Sequence, residues 1–214
     1  FGATAVILDD GFQHVALQRN MDLVTLRGED LFGNGRVFPS GALREPAAVL
    51  GRASAVLLTG EVMPENRRAI ERAIGDLDVY FGSLLVDALL DGEGKAAENP
   101  GDLAGSGVVA VSGIARPESF AKTLARIGVR VLAHEIFPDH ARYTDSDADR
   151  IISSRAKTRA DFIVATEKDA VKLSPFMATE TFRFLRVTMK IDRPEDLTAR
   201  LLAAVEMNRR KMNP

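Results

Sequence analysis

Short apolar runs rich in branched residues recur along the chain and alternate with stretches whose apolar positions fall at helical spacing. The runs Ala5–Leu8, Leu23–Leu26, Ala55–Leu58, Val79–Val86, Val108–Val111, Val129–Ala133, Phe162–Ala165 and Phe182–Met189 predict strands. Most are continuous rather than alternating, as expected of parallel strands buried on both faces. Between them, Pro64–Gly75, Pro117–Ile127 and Asp145–Lys157 predict helices. In the second of these Phe120, Leu124 and Ile127 form one stripe, and Pro117 suits a first helical position. Thr166-Glu167-Lys168-Asp169 reads as a capping box with Asp in place of Glu or Gln. Asp192-Arg193-Pro194-Glu195 opens a last helix with the stripe Leu197, Leu201, Leu202 and Val205. The alternation predicts an α/β fold.

Two regions break the rhythm. Arg27–Pro46 is glycine-rich with no convincing period, as functional loops often are. Leu90–Gly107 is rich in Gly, Asp, Glu, Ala and Asn and reads as a turn plus linker. The expected division is residues 1–78 as one α/β body, 79–107 as a β-hairpin linker, and 108–214 as a second, smaller Rossmann-like body.

Composition narrows the functions. The 214 residues are 46% apolar and 27% charged with net charge −2, so no basic face signals nucleic acid. The absence of cysteine excludes disulfides and thiolate metal sites. Apolar runs fall short of the roughly 18–20 residues that span a bilayer. Phe1 runs directly toward a strand pattern without a signal or lipidation motif, which suggests a piece of a longer protein continuing upstream.

The candidate chemistry begins at Asp9-Asp10-Gly11, after the apolar run Ala5–Leu8. Acids at a strand's carboxyl end lie where open α/β folds bind ligands. Mg²⁺ takes hard oxygen ligands, commonly one or two carboxylates completed by phosphate and water. On these residues alone a metal site and a simple Asp-Asp-Gly turn are equal rivals. Likewise Arg44-Glu45-Pro46 is either a solvated loop end or an arginine for phosphate beside a glutamate for metal. Asn34 and Arg36 are candidates to face a phosphate or to make a turn. His140 follows a strand and His134 ends one, the latter read as structural. Thr166–Asp169 either caps a helix or brings amides and Lys168 toward an anion.

The run DDGFQH at Asp9–His14 resembles a motif of the tetraacyldisaccharide 4′-kinases. The likeness continues in order through FGNGRVFPSGALREP at Phe32–Pro46, GIARPESF at Gly113–Phe120, FPDHARYT at Phe137–Thr144 and ATEKDAVKL at Ala165–Leu173. This resemblance implies a P-loop NTPase-like parallel sheet, present here in part, joined by a short β linker to the second α/β domain. It implies transfer of the ATP γ-phosphate to the 4′-hydroxyl of a tetraacyl glucosamine disaccharide 1-phosphate, a lipid A precursor. The setting would be the cytoplasmic face of the inner membrane of Gram-negative bacteria, with membrane contact through regions absent from this chain. By the same analogy Asp9, Asp10 and Glu45 serve Mg²⁺, Asp10 and His140 act in catalysis, and Gln13 and Arg44 face nucleotide or substrate; Lys168 joins that last set as a residue at a helix start, a role the resemblance leaves open. His14 would help to shape the pocket. In the family the histidine partners an aspartate upstream of these residues; a second histidine often follows it, where this chain has Ala141.

No G-x-x-x-x-G-K-[ST] phosphate loop occurs in the chain. The resemblance places that loop upstream of DDGFQH, so this portion alone is expected to be inactive. Two other functions fit the bare pattern. A metal-dependent phosphohydrolase would use Asp9 and Asp10 but leave Phe32–Pro46 unexplained. A non-catalytic binding protein would keep the fold without the phosphate loop.

Overall fold

The computed structural model describes residues 3, 5–177 and 180–212, with the side chains of 65, 67, 98 and 208–212 excepted. In chain order the elements are β1 (Leu23–Arg27), β2 (Ala55–Thr59), α1 (Arg67–Ile74), β3 (Asp78–Asp91) and β4 (Ala96–Glu98). They continue as β5 (Gly107–Ser112), α2 (Pro117–Arg126), β6 (Arg130–Ile136), α3 (Asp145–Thr158) and β7 (Phe162–Thr166). The last three are α4 (Glu167–Leu173), β8 (Phe182–Ile191) and α5 (Pro194–Met212). The chain forms two compact units: residues 1–84 with 189–214, and residues 85–188.

In the first unit β1, β2 and the start of β3 run parallel, with Leu23 opposite Ala55 and Ala55 opposite Asp78. Alternate residues of β2 point to opposite faces. Val56 and Leu58 pack on Ile70 and Ile74 of α1, whereas Ala55 and Leu57 pack with Tyr80 and Leu197 of α5. Both faces of the strand are therefore covered by helix, which explains its continuous apolar run.

Polar contacts fix α5 to β3. Tyr80 donates its hydroxyl to Asp196 at 2.5 Å, and the Arg193 guanidinium lies 4.8 Å from the Tyr80 ring centre. Arg193 also donates to the Val79 carbonyl at 2.6 Å, and Arg200 pairs with Asp78 at 2.5 Å.

The second unit is a parallel sheet in the order β6-β5-β7-β8. Val108, Ala110 and Val164 pack with Phe120 and Leu124 of α2. On the other face Val109, Val111, Ile163 and Ala165 pack with Ile151 of α3 and Ala170 and Leu173 of α4. The chain leaves β5 toward β6 on one side and leaves β7 toward β8 on the other. The carboxyl ends of β5 and β7 thus flank a topological switch point, the usual ligand crevice of open α/β sheets.

Two expectations differ from the structure. Ala5–Leu8 is not a strand; Val6 and Ile7 are 79% and 96% exposed. A parallel strand needs a hydrogen-bonding neighbour, and among the described residues this segment has none. The hairpin expected within 79–107 is present, since β3 pairs antiparallel with β4, and it is followed by a 3-10 turn at Pro100–Leu103 whose Asn99 and Asp102 form a capping box. The compact units also divide the chain differently from 1–78, 79–107 and 108–214. The last helix belongs with the first unit because its Leu197 and its acid and arginine side chains find their partners on β3. Among the described residues no helix is long and apolar enough to cross a membrane.

Candidate active site

In the first unit Asp9 and Asp10 lie in an exposed turn, and Asp10 has the left-handed φ of 51°. Gly11 is required beside them, since a Cβ there would sit 2.6 Å from that of Leu8. Arg44 reaches this turn from 34 residues away, donating to Asp10 at 2.8 Å and to Gln13 Oε1 at 3.3 Å. The Arg44 and Asp10 side chains are 69% and 72% exposed. An exposed pair of this kind contributes about 0–1 kcal/mol, so a phosphate or a cation can replace either partner at little cost.

The rest of the expected set is held differently. Glu45 pairs with Arg52 at 2.6 Å, and the Arg52 guanidinium stands 5.1 Å from the Phe12 ring centre. Asp9, Asp10 and Glu45 do not converge: among the described residues no group of at least three His, Cys, Asp or Glu side chains could hold a metal. His14 contributes its carbonyl, which accepts from Arg19 at 2.5 Å. Arg19 also donates to the Leu17 and Phe12 carbonyls and is anchored on Asp22 at 2.6 Å, so one guanidinium holds the whole turn after DDG.

The glycine-rich loop is ordered by its own polar groups. Asn34 donates to the Ser40 carbonyl at 2.9 Å and accepts from the Arg36 amide at 3.1 Å, which makes it a turn residue. Across the loop the Phe38 amide donates to the Leu43 carbonyl at 2.8 Å, and the Leu43 amide donates to the Arg36 carbonyl at 3.2 Å. A Cβ on Gly41 would meet the Arg36 carbonyl and Asn34 Oδ1 at 2.2 Å, which leaves glycine as the residue that fits.

In the second unit the loop after β6 carries Asp139 and His140. Both are exposed, and His140 has a left-handed φ of 61°. His140 Nε2 lies 3.9 Å from an Asp139 oxygen, and Lys168 donates to the other at 2.6 Å. The Lys168 ammonium holds the Asp139 carboxyl below the usual carboxylate range. Lys168, expected to face a ligand, is thereby the partner of Asp139. His134 is half-buried and bonded to Ser112 at 2.8 Å, and burial pushes its pKa down, in keeping with a structural role.

Asp169 lies beneath that loop and is fully buried. It accepts from the Gly113 amide at 2.8 Å, the Tyr143 hydroxyl at 2.9 Å and the Thr166 hydroxyl at 2.6 Å. The expected cap is present, with Thr166 accepting from the Asp169 amide at 3.2 Å, but the acid also serves two other segments.

Sequence reasoning missed Arg19, Asp139, Tyr143 and Asp169 as organisers. Asp139 and Tyr143 stood inside the quoted FPDHARYT run and Asp169 inside ATEKDAVKL, so their signal was present. Arg19 carried none, because apart from Asp22 its partners are main-chain carbonyls.

A parallel α/β fold with an acid–arginine turn in one unit and a loop histidine after β6 in the other defines a protein of the open-sheet α/β class. Comparison with known proteins then gives the family. The chain belongs to the tetraacyldisaccharide-1-P 4′-kinase family, which it matches over residues 1–206. It is 38% identical over 213 residues to the tetraacyldisaccharide 4′-kinase of Anaeromyxobacter dehalogenans (strain 2CP-C), covering 94% of this chain and 56% of that protein. To the enzyme of the same name from Anaeromyxobacter sp. (strain Fw109-5) it is 40% identical over 212 residues, covering 95% and 56%. The relative from Rhodospirillum centenum is 39% identical over 203 residues, covering 94% and 56%. The chain spans about half the length of the curated relatives it matches. A crystal structure of the "apo" form of LpxK from Aquifex aeolicus in complex with ATP has a TM-score of 0.62 at 24% identity, over 91% of this chain and 56% of that one. That likeness shows a shared fold.

Proposed function

We propose that the full-length gene product transfers the γ-phosphate of ATP to the 4′-hydroxyl of a tetraacylated glucosamine disaccharide 1-phosphate in lipid A synthesis. The chain 1–214 carries an acidic cluster in its first unit and a histidine cluster in its second, and is inactive alone. Membership of the kinase family supports the reaction. The observation that carries the reading is the junction of the DDGFQH turn with the glycine-rich loop, through Arg44 on Asp10 and Gln13.

Asp9 and Asp10, both exposed in their turn, would hold a magnesium ion in the manner usual at phosphoryl-transfer sites, where one or two carboxylates suffice and phosphates and waters complete the shell. The metal would neutralise charge on the transferring phosphates. Arg44 is held over the same turn with most of its surface open, so its fork can take phosphate oxygens. Gln13 keeps that fork oriented, and Glu45, braced by Arg52, is a candidate to reach the metal through water. In the second unit His140 assists removal of the acceptor hydroxyl's proton, and Lys168 with Asp139 fixes the charge around it. On this reading the acceptor is a lipid and the donor is ATP, so the enzyme would work as a peripheral protein at the cytoplasmic face of the bacterial inner membrane. The net charge of −2 offers no electrostatic footprint for nucleic acid.

The test is a magnesium titration of turnover in the full-length gene product. Asp9→Ala and Asp10→Ala should both lower turnover and shift the half-saturating Mg²⁺ concentration by different amounts, because one acid is the closer ligand. Wild-type curves from both variants would remove the pair from the site.

A further inference from the structure

Burying a carboxylate is unfavourable unless hydrogen bonds replace its water, and a helix cap needs no such burial. Asp169 is nonetheless fully buried and accepts bonds from three separate segments: the Gly113 turn after β5, Tyr143 before α3, and Thr166 at the start of α4. These segments belong to the runs GIARPESF, FPDHARYT and ATEKDAVKL. The fit is tight, since a Cβ on Gly113 would meet Asp169 Oδ1 and the Tyr143 hydroxyl at 2.9 Å.

The loop bearing His140 hangs between two buried aromatics. Phe137 is fixed by its amide to the Ser112 carbonyl at 2.9 Å and by the Arg150 guanidinium 4.5 Å from its ring centre. Tyr143 packs edge-on against Phe137 at 4.8 Å and gives its hydroxyl to Asp169. Pro138, Asp139 and His140 are exposed between these anchors. A histidine in left-handed backbone persists when its surroundings over-determine it, and both ends of this loop are held.

We infer that Asp169 is a positioning residue that acts through the Tyr143 hydroxyl and the Gly113 amide to fix the Asp139–His140 loop at the switch point of the sheet. This rests on the reading of His140 as part of the phosphotransfer machinery. Burial and the Asp169 carboxylate push the Tyr143 pKa upward, so its hydroxyl stays a donor through the working pH range.

The experiment is a double-mutant cycle on the full-length gene product. Tyr143→Phe and Asp169→Asn are each made with His140 intact and with His140→Ala, and turnover is measured at saturating ATP and acceptor. With His140 intact each should lower turnover about tenfold or more, the scale set by small misplacements of a catalytic group, with the KM for ATP little changed. With His140→Ala already present, either should lower it less than about twofold, because residues acting through one group are not additive. Equal losses in both backgrounds, or no loss in either, would overturn the positioning role. A wild-type turnover in the single variant His140→Ala would overturn the reading of His140 itself, and it is seen before any second substitution is introduced. Should Asp169→Asn fail to fold, Tyr143→Phe, which removes one oxygen atom, carries the test.

Discussion

Two tyrosines are all the chain contains, and each unit buries one of them against an acid. Burial raises the pKa of both, reinforced by Asp196 at Tyr80 and by Asp169 at Tyr143. A group whose pKa is raised on folding holds its proton more tightly in the native state. Its contribution to stability is complete below the ordinary tyrosine value of 10.0 and is lost as pH climbs through the shifted range. The native chain should therefore show little tyrosinate absorbance near pH 10, where the chain in denaturant is about half ionised. Tyr143→Phe should leave only the signal of Tyr80 and remove the alkaline loss of stability that Tyr143 brings to the second unit. Tyrosinate appearing in the native protein at the same pH as in denaturant would contradict the burial and the two hydrogen bonds.

Elements were legible where burial covered both faces. β2, β5 and β7 were read correctly because helices lie on both sides and every position must be apolar. Ala5–Leu8 has the same composition and is not a strand, since composition records the demand for a neighbour and cannot supply one. The last helix was legible as a helix but not as a partner of β3; Tyr80–Asp196 joins residues 116 apart, beyond any local pattern. The glycine-rich loop read only as a break in period, because its order comes from Asn34 and from main-chain bonds rather than apolar packing. That order is testable. Gly41→Ala forces a Cβ within 2.2 Å of Asn34 Oδ1 and the Arg36 carbonyl, and overpacking of this kind costs about 1–3 kcal/mol. Limited proteolysis should cut Phe32–Leu43 faster in the variant, with the core of the second unit unaffected; identical digestion would mean that the loop is not closed as described.

At the scale of the molecule, each compact unit contributes one polar cluster: Asp9, Asp10, Gln13 and Arg44 in the first, and Asp139, His140 and Lys168 in the second. The acids and the histidine were found in the sequence by motif. The groups that hold them, Arg19 in one unit and Asp169 with Tyr143 in the other, emerged with the fold because their partners are distant in sequence or in the main chain. The proposed kinase function requires both clusters. Its most direct test is transfer of labelled γ-phosphate from ATP to a tetraacyl disaccharide 1-phosphate by the full-length gene product, its Asp10→Asn variant and its His140→Ala variant. The wild type should yield the 4′-phosphorylated product, with each variant at least about tenfold slower, at the low end of acid–base and electrostatic contributions. No product from the wild type, or wild-type rates from both variants, would contradict the account.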